Sequence, residues 1–397
     1  MKFITLKTIR SGVLNLVLSL GSLLITYLIL ELVFFRLFLP RLPLRFHGYL
    51  SEPIRIFAQT SKNGLIPNDY IAIVGDSYAQ GMGDWLLTAN DWENQEFAPH
   101  NILYKRTGKD VITFGQAGVG SLGGLVAKPI NRFRFLNSTI FYKIDEPKII
   151  LVYFYDNDIN DNLKEIQMRF KDRYDMKKIY EKSYFREFIS EVVIGEDALY
   201  KSIKSFRWYE NLFFLKFIRN MVNGIIHKKK TNYSVSPWKA GEINHAFIKG
   251  KKISIPDKLQ SPALELTEEE INLSVYIFER SLDYLSGSFP CTKIFVVYIP
   301  SPLASYDLAS QKVSIQTYHG RGEIYPAKDV AYKSDLISKK IKKTTEEKHC
   351  VFIDPRESIR DASRKGLIHG PFDWKHLNKT GYTVLSEVII PYILKEH

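Results

Sequence analysis

The 397-residue sequence predicts an α/β protein whose core is a five-stranded parallel sheet with crossover helices. Two observations carry this. Five short runs, Tyr70–Val74, Val111–Phe114, Lys148–Phe154, Lys293–Ile299 and Val351–Asp354, are apolar and rich in β-branched residues, as strands covered on both faces must be. Longer mixed stretches separate them, with room for a helix between one strand and the next. Once the N-terminal segments are set aside, about 330 residues remain, large for one α/β domain but within its range. The sequence holds no internal repeat and no low-complexity tract.

The chain divides into a tail (1–10), an apolar anchor (11–39), a Pro-rich linker (40–66) and the main domain (67–397), with an insertion at about 160–285. Gly12 to Leu30 is nineteen residues without a charge, and Leu32 to Phe35 extends the run past Glu31. At about 1.5 Å per residue it matches a hydrocarbon core of about 30 Å. Lys2, Lys7 and Arg10 precede it, as in a secretory signal, but no Ala-x-Ala-like cleavage site follows. An uncleaved transmembrane helix is therefore expected. Arg36, Arg41 and Arg45 balance the basic residues before the span, so only the amino terminus tips the positive-inside count. The expected orientation puts the main domain outside the cytoplasm, in the periplasm of a Gram-negative cell.

The first strand runs straight into Gly75-Asp76-Ser77, with Gly81 four residues on. Such a turn lifts a serine hydroxyl out of the carboxyl edge of a sheet, where open α/β folds bind ligands. Near the far end, Asp373 precedes His376 by three residues on a loop that leads into the last apolar helix, Tyr382 to Leu394. A serine needs a base to take its proton, and an imidazole titrating near pH about 6.5 serves, oriented by a carboxylate. Two further strand ends offer donors for an oxyanion: the glycine-studded turn Gly115 to Ser121, and Asn157 after the third strand. Each motif alone is weak, because turns also favour Gly, Asn and Asp. Four strand-end motifs in this order are a stronger signal.

These residues resemble the SGNH or GDSL hydrolases, named for one Ser, Gly, Asn and His from four sequence blocks. The resemblance runs from about Ile71 to about Gly381 and implies a flavodoxin-like three-layer α/β/α sandwich. It implies Ser77 as nucleophile, His376 as base and Asp373 as its orienting acid. The oxyanion would sit among the Ser77 N–H, the Gly118 N–H and the Asn157 side chain. Tyr155 stands where the third block usually has glycine, and Thr113 where the second often has asparagine; neither removes a catalytic atom. The implied function is a membrane-anchored serine esterase or deacylase acting on O-acyl, above all O-acetyl, esters of carbohydrate or lipid, such as a cell-surface polysaccharide. A polysaccharide O-acyltransferase using the same site is the alternative, and a catalytically silent carbohydrate-binding module is the non-enzyme one. The chemistry requires no cofactor. The histidines show no metal-ligand spacing, and no dinucleotide or Walker fingerprint occurs.

Net charge is +12, and Lys201 to Lys230 holds eight basic residues against a single Glu. Within it Trp208, Leu212, Leu215, Val222 and Ile226 fall at helical spacing. The bland reading is a helix packed on the domain with a solvated basic face. The sharper one is an interfacial helix against anionic headgroups, giving the membrane a second contact through residues 201–230. Nucleic acid is not an expected partner, since no recognition motif accompanies the charge. The two cysteines, Cys291 and Cys350, precede the fourth and fifth strands. A disulfide and a pair of buried thiols both stay open.

Overall fold

The computed structural model describes residues 6–84, 86, 98–138, 143–205, 212–226, 237–317 and 323–396. Trp208 and the basic residues 228–230, like residues 1–5 of the N-terminal tail, lie outside them. The sheet strands are β1 (Ile71–Gly75), β2 (Val111–Thr113), β3 (Ile149–Tyr155), β4 (Lys293–Ile299) and β5 (Val351–Ile353). All pairings are parallel and the spatial order is β2-β1-β3-β4-β5, the flavodoxin-like order. Ile71 faces Val111 on one side and Ile149 on the other, and Phe295 faces Val351. Predicted and observed strands agree within a residue or two.

Alternate strand residues feed two separate cores, which makes the three layers. Ala72, Val74, Ile150, Val152 and Val296 pack beneath helices α4 (Lys128–Asn137), α5 (Asp158–Arg169) and α7 (Glu268–Ser288). Ile71, Ile73, Leu151, Phe295 and Val297 pack beneath α3 (Pro99–Thr107), α9 (Arg356–Lys365) and α10 (Lys379–Leu394). Helix α8 (Lys328–Glu347) gives Ile337 and Ile341 to the first core and Val330 to the second.

The expected insertion bounds cut through two helices of the layer. Ile159, Leu163 and Ile166 of α5 and Ile271, Ile277 and Leu282 of α7 are buried at helical spacing on the sheet. A capping box of Thr267 and Glu270 fixes where α7 begins. The true excursion lies between the two helices. It holds two short helices (Lys182–Phe188 and Ala198–Ser205), α6 (Phe213–Ile226) and an antiparallel hairpin pairing His245–Ile248 with Lys251–Ser254.

Helix α1 (Leu6–Val33) carries the apolar segment, and Gly12–Arg41 is long and apolar enough to cross a membrane. Its leucines are exposed, but Glu31 in its last turn and one side of the turns that follow meet the body. Phe34 packs its ring, tilted, against Phe214 and Phe217 of α6, and Leu39 is buried in the first core. Glu31, only 8% exposed, accepts the Phe214 N–H at 3.1 Å and so caps the start of α6. The stretch expected to be a linker also differs from expectation. Leu50, Ile54, Ile56 and Phe57 are buried in the first core, so residues 44–58 are part of the folded body. Alternating Pro and apolar residues hide this in the sequence, because their short 3₁₀ turns have no amphipathic period to recognise.

Helix α6 turns its expected apolar stripe outward. Phe213 and Phe217 do the packing, while Leu215, Val222 and Ile226 are 49%, 41% and 68% exposed. Both cysteine thiols are free. The register explains it: Cys350 lies level with Ile294, three residues beyond Cys291. That offset is about 10 Å along the strand direction, more than a disulfide spans.

Candidate active site

The carboxyl end of β1 makes a turn that only glycine permits. Gly75 has φ 137°, and a Cβ there would lie 2.5 Å from the Tyr153 carbonyl. Asp76 then caps the single-turn helix α2 (Ser77–Gln80) by accepting the Tyr78 N–H at 2.8 Å. Ser77 is the first residue of that turn. Thr113, at the end of β2, donates through its hydroxyl to the Ala79 carbonyl and accepts the Gly115 N–H, so it ties the second strand end to α2.

The C-terminal loop is stitched to the same edge. Tyr78 donates its hydroxyl to the Lys375 carbonyl at 3.0 Å, and Tyr382 donates to the Met82 carbonyl. Asp84 accepts the N–H groups of Phe372 and Asp373, which sets the backbone of the loop. The result brings three expected residues together. His376 Nε2 lies 2.8 Å from Ser77 Oγ, and His376 Nδ1 lies 2.6 Å from Asp373 Oδ2. An ionised Asp373 is an acceptor only, so Nδ1 carries the proton and Nε2 offers its lone pair to the serine. Burial alone would raise the Asp373 carboxyl. Its hydrogen bond to His376, the charge there and the Lys375 and His376 N–H groups outweigh that and hold it below the usual carboxylate range. Ser77 Oγ also lies 3.1 Å from Asp76 Oδ2, whose carboxyl burial pushes up. The second histidine of the loop, His369, is fully buried with Nδ1 3.4 Å from the Tyr306 hydroxyl. Burial pushes it down to about 3, so it is neutral at working pH.

Strand order places Ser77 between Gly118 and Asn157, because β1 lies between β2 and β3. Gly118 has φ 76°, a left-handed turn, and its N–H makes no hydrogen bond among the described residues. The two preceding N–H groups are used: Gln116 donates to the Gly75 carbonyl and Ala117 to Gln80 Oε1. Asn157 lies two residues past the third strand, at the N-cap of α5, and donates through Nδ2 to Asp161 Oδ2 at 2.8 Å. One amide hydrogen is thereby committed and the second remains. The turn after Gly118 is braced from α5, where Asn162 accepts the Ser121 N–H and Glu165 those of Leu122 and Gly123.

Sequence reasoning missed Asp161, Asp84, Asn162 and Glu165. Asp161 was accessible, since a carboxylate four residues after an asparagine at a helix start faces it. Asp84 was not, because its partner loop lies almost three hundred residues away. Burial, with Asp76 and Glu165 nearby, pushes Asp161 up to about 7. A folded-state pKa above the unfolded value of about 3.9 means the native state binds more protons between pH 4 and 7, so stability falls as pH rises through that window. Asp161→Asn is therefore expected to raise Tm, and by more at pH 8 than at pH 5. Asp161→Ala, which frees the Asn157 amide, should lower kcat about tenfold with little change in KM. A Tm that falls at pH 8 in the Asn variant would sink this account of the carboxylate.

No protein-family model matches the sequence, and no curated protein matches it either. Among solved structures, it is similar to a family two carbohydrate esterase from Cellvibrio japonicus, at 10% identity and a TM-score of 0.34 over 83% of this chain and 62% of that one. An extracellular lipase from Streptomyces rimosus matches at 12% identity and TM-score 0.37, over 83% and 99% of the two chains. A carbohydrate acetylesterase family member from Sinorhizobium meliloti matches at 12% and 0.32, over 82% and 97%. The chain thus spans less than two thirds of the Cellvibrio protein. At such distances these likenesses bear on none of the residues described above.

Proposed function

We propose that this chain is a membrane-anchored serine esterase of the SGNH type, acting on O-acyl esters. The single observation that carries the reading is the relay from Ser77 Oγ through His376 to Asp373, at 2.8 and 2.6 Å, at the carboxyl edge of a parallel sheet. Ser77 Oγ gives its proton to His376 Nε2 as it bonds to the acyl carbon. The carbonyl π pair moves onto oxygen, where the Gly118 N–H and the second Asn157 amide hydrogen would receive it. Collapse re-forms the carbonyl and expels the alcohol, which takes the proton back from His376. The acyl-enzyme is then discharged to water, giving an esterase, or to another hydroxyl, giving an acyltransferase. Turnover of p-nitrophenyl acetate by the full chain in nanodiscs, with and without an added polysaccharide, tests this. Hydrolysis indifferent to the acceptor supports the esterase, whereas acceptor-dependent acyl transfer supports the alternative. No turnover under either condition, with carbohydrate binding retained, would leave the silent module.

The full chain is required because Phe34, Leu39 and residues 44–58 belong to the core. The same packing supports an anchor that is kept, since cleavage beyond the apolar run would strip core residues away. We infer that α6 rests on the bilayer surface: it packs on the end of α1 and presents Leu215, Val222 and Ile226 outward beside Lys216 and Arg219. A spin label at Ile226→Cys, in a chain with Cys291→Ser and Cys350→Ser, should relax faster with lipid-soluble oxygen than with a water-soluble nickel chelate. The reverse order would place the helix in water.

A further inference from the structure

A cavity of about 530 Å³ opens between residues 47–59, just beyond the apolar helix, and the turn that follows β2. Its size suits a small ligand. Neither Ser77 nor His376 lines it, yet Gln80, three residues after Ser77, and Ala117, next to Gly118, both do. It is thus a neighbour of the candidate active site, sharing one wall with it.

The polar groups of this largely apolar lining are rich in donors. Gln59, Gln80 and Gln116 each have the carboxamide oxygen already taken, by the Thr113 N–H, the Ala117 N–H and the Arg132 guanidinium respectively. Each NH2 group is left without a partner in the described structure, and none is sealed away from solvent. The charges are equally one-sided. Among the described residues Glu52 is the one carboxylate of the lining, and Arg132 pairs with it while also holding the Phe114 and Gly115 carbonyls. Burial would raise Glu52, but the Arg132 charge beside it outweighs that and keeps it ionised. Among the described residues Arg55 then has no ion-pair partner: Nε reaches the Leu50 carbonyl at 3.4 Å, and no described group hydrogen-bonds the rest of its guanidinium. Finally His100, only 7% exposed, lines the cavity with Nδ1 unpartnered. A buried polar atom left bare is destabilising unless something completes it.

We propose that this cavity binds an anionic, oxygen-rich ligand, one that sets a carboxylate or phosphate against Arg55 and accepts hydrogen bonds from the three carboxamides. The chemistry follows from the inventory: a guanidinium without a carboxylate pairs with an oxyanion, and a donor-rich wall selects acceptors. The inference stands apart from the ester reading, so it is tested in a Ser77→Ala chain, where a wrong catalytic assignment changes nothing.

Calorimetric titration of that chain in phosphatidylcholine nanodiscs, with glucuronate, glucose 6-phosphate and glucose, is the experiment. The two anions are expected to bind at least about tenfold more tightly than glucose, the worth of one charge-assisted hydrogen-bonded pair. Arg55→Gln should erase that difference, Arg55→Lys should keep part of it, and the Tm of each variant reports folding. Added salt should weaken the anions and leave glucose unchanged, a check that needs no substitution. Discs of phosphatidylglycerol separate two sources of the same chemistry. Loss of glucuronate binding there assigns the cavity to a lipid headgroup, and retention assigns it to a free anion. Equal affinity for glucose and the anions, or anion binding that survives Arg55→Gln, overturns the proposal.

Discussion

Ser77→Ala is expected to abolish ester turnover, and His376→Ala to be almost as damaging, each lowering kcat by about 10⁴-fold or more. The two side chains share one proton across 2.8 Å, so removing either leaves the other without a task. Their combined variant should therefore be little worse than either alone, the non-additivity expected of groups that act as a unit. Asn157→Ala should cost less, about 10²–10³ in kcat, because it removes one donor and leaves the nucleophile intact. Steady-state kinetics on p-nitrophenyl acetate, with circular dichroism to verify folding, is the measurement. Wild-type turnover in the Ser77→Ala chain would end the assignment. The pH profile gives an independent check: kcat/KM should fall on the acid side as the imidazole protonates, since only the neutral ring can take the serine proton. A flat profile from acid to alkaline pH, with chemistry rate-limiting, would exclude a histidine base.

Asp373→Asn is expected to lower kcat by about 10³–10⁴ while leaving the fold in place. The carboxylate accepts a hydrogen from Nδ1 at 2.6 Å. A carboxamide that turns its NH2 to the same atom forces the proton onto Nε2, and the ring can then no longer accept from Ser77. The substitution also removes a stability contribution with a defined pH window. The folded Asp373 carboxyl lies below its ordinary value, so its interaction stabilises the protein above about pH 4 and is lost as pH falls through the folded pKa. His369 is the internal control. Buried, neutral and held near Tyr306, it should be replaceable by Asn with kcat kept within a few-fold and a lower Tm. Inactivation by His369→Asn with an unharmed His376→Ala would reverse the pairing.

The legible parts of this protein were those governed by local pattern. Unbroken β-branched runs can only be strands covered on both faces, so the five sheet strands were readable to within a residue or two. Gly75 and Gly118 were readable as turns because no other residue adopts their φ angles without strain. Asp373 and His376 sit three residues apart on one loop, and the other strand-end motifs together with the family resemblance allowed them to be paired. Residues 40–66 were misjudged because short 3₁₀ turns rich in proline leave no period that tells a buried segment from a tether. Which face of α6 meets the body stayed open for a related reason. Periodicity shows that a helix has two faces and cannot show which one meets the core; here Phe213 and Phe217 won through their contact with Phe34.

The sequence by itself thus determined the fold class, the strand ends and the residue types that face the carboxyl edge, because each follows from torsion angles and burial within a few residues. The tertiary structure alone decided what those residues meet. Strand order put Ser77 between Gly118 and Asn157. Asp84 and Tyr78 carried the C-terminal loop across the sheet edge, so that His376 rather than His369 reached the serine. Arg132 took Glu52 and left Arg55 without an ion-pair partner among the described residues, over a cavity that no spacing foretells. These pairings join residues tens to hundreds of positions apart. Their geometry is set by how helices pack on a twisted sheet, and no local preference encodes it.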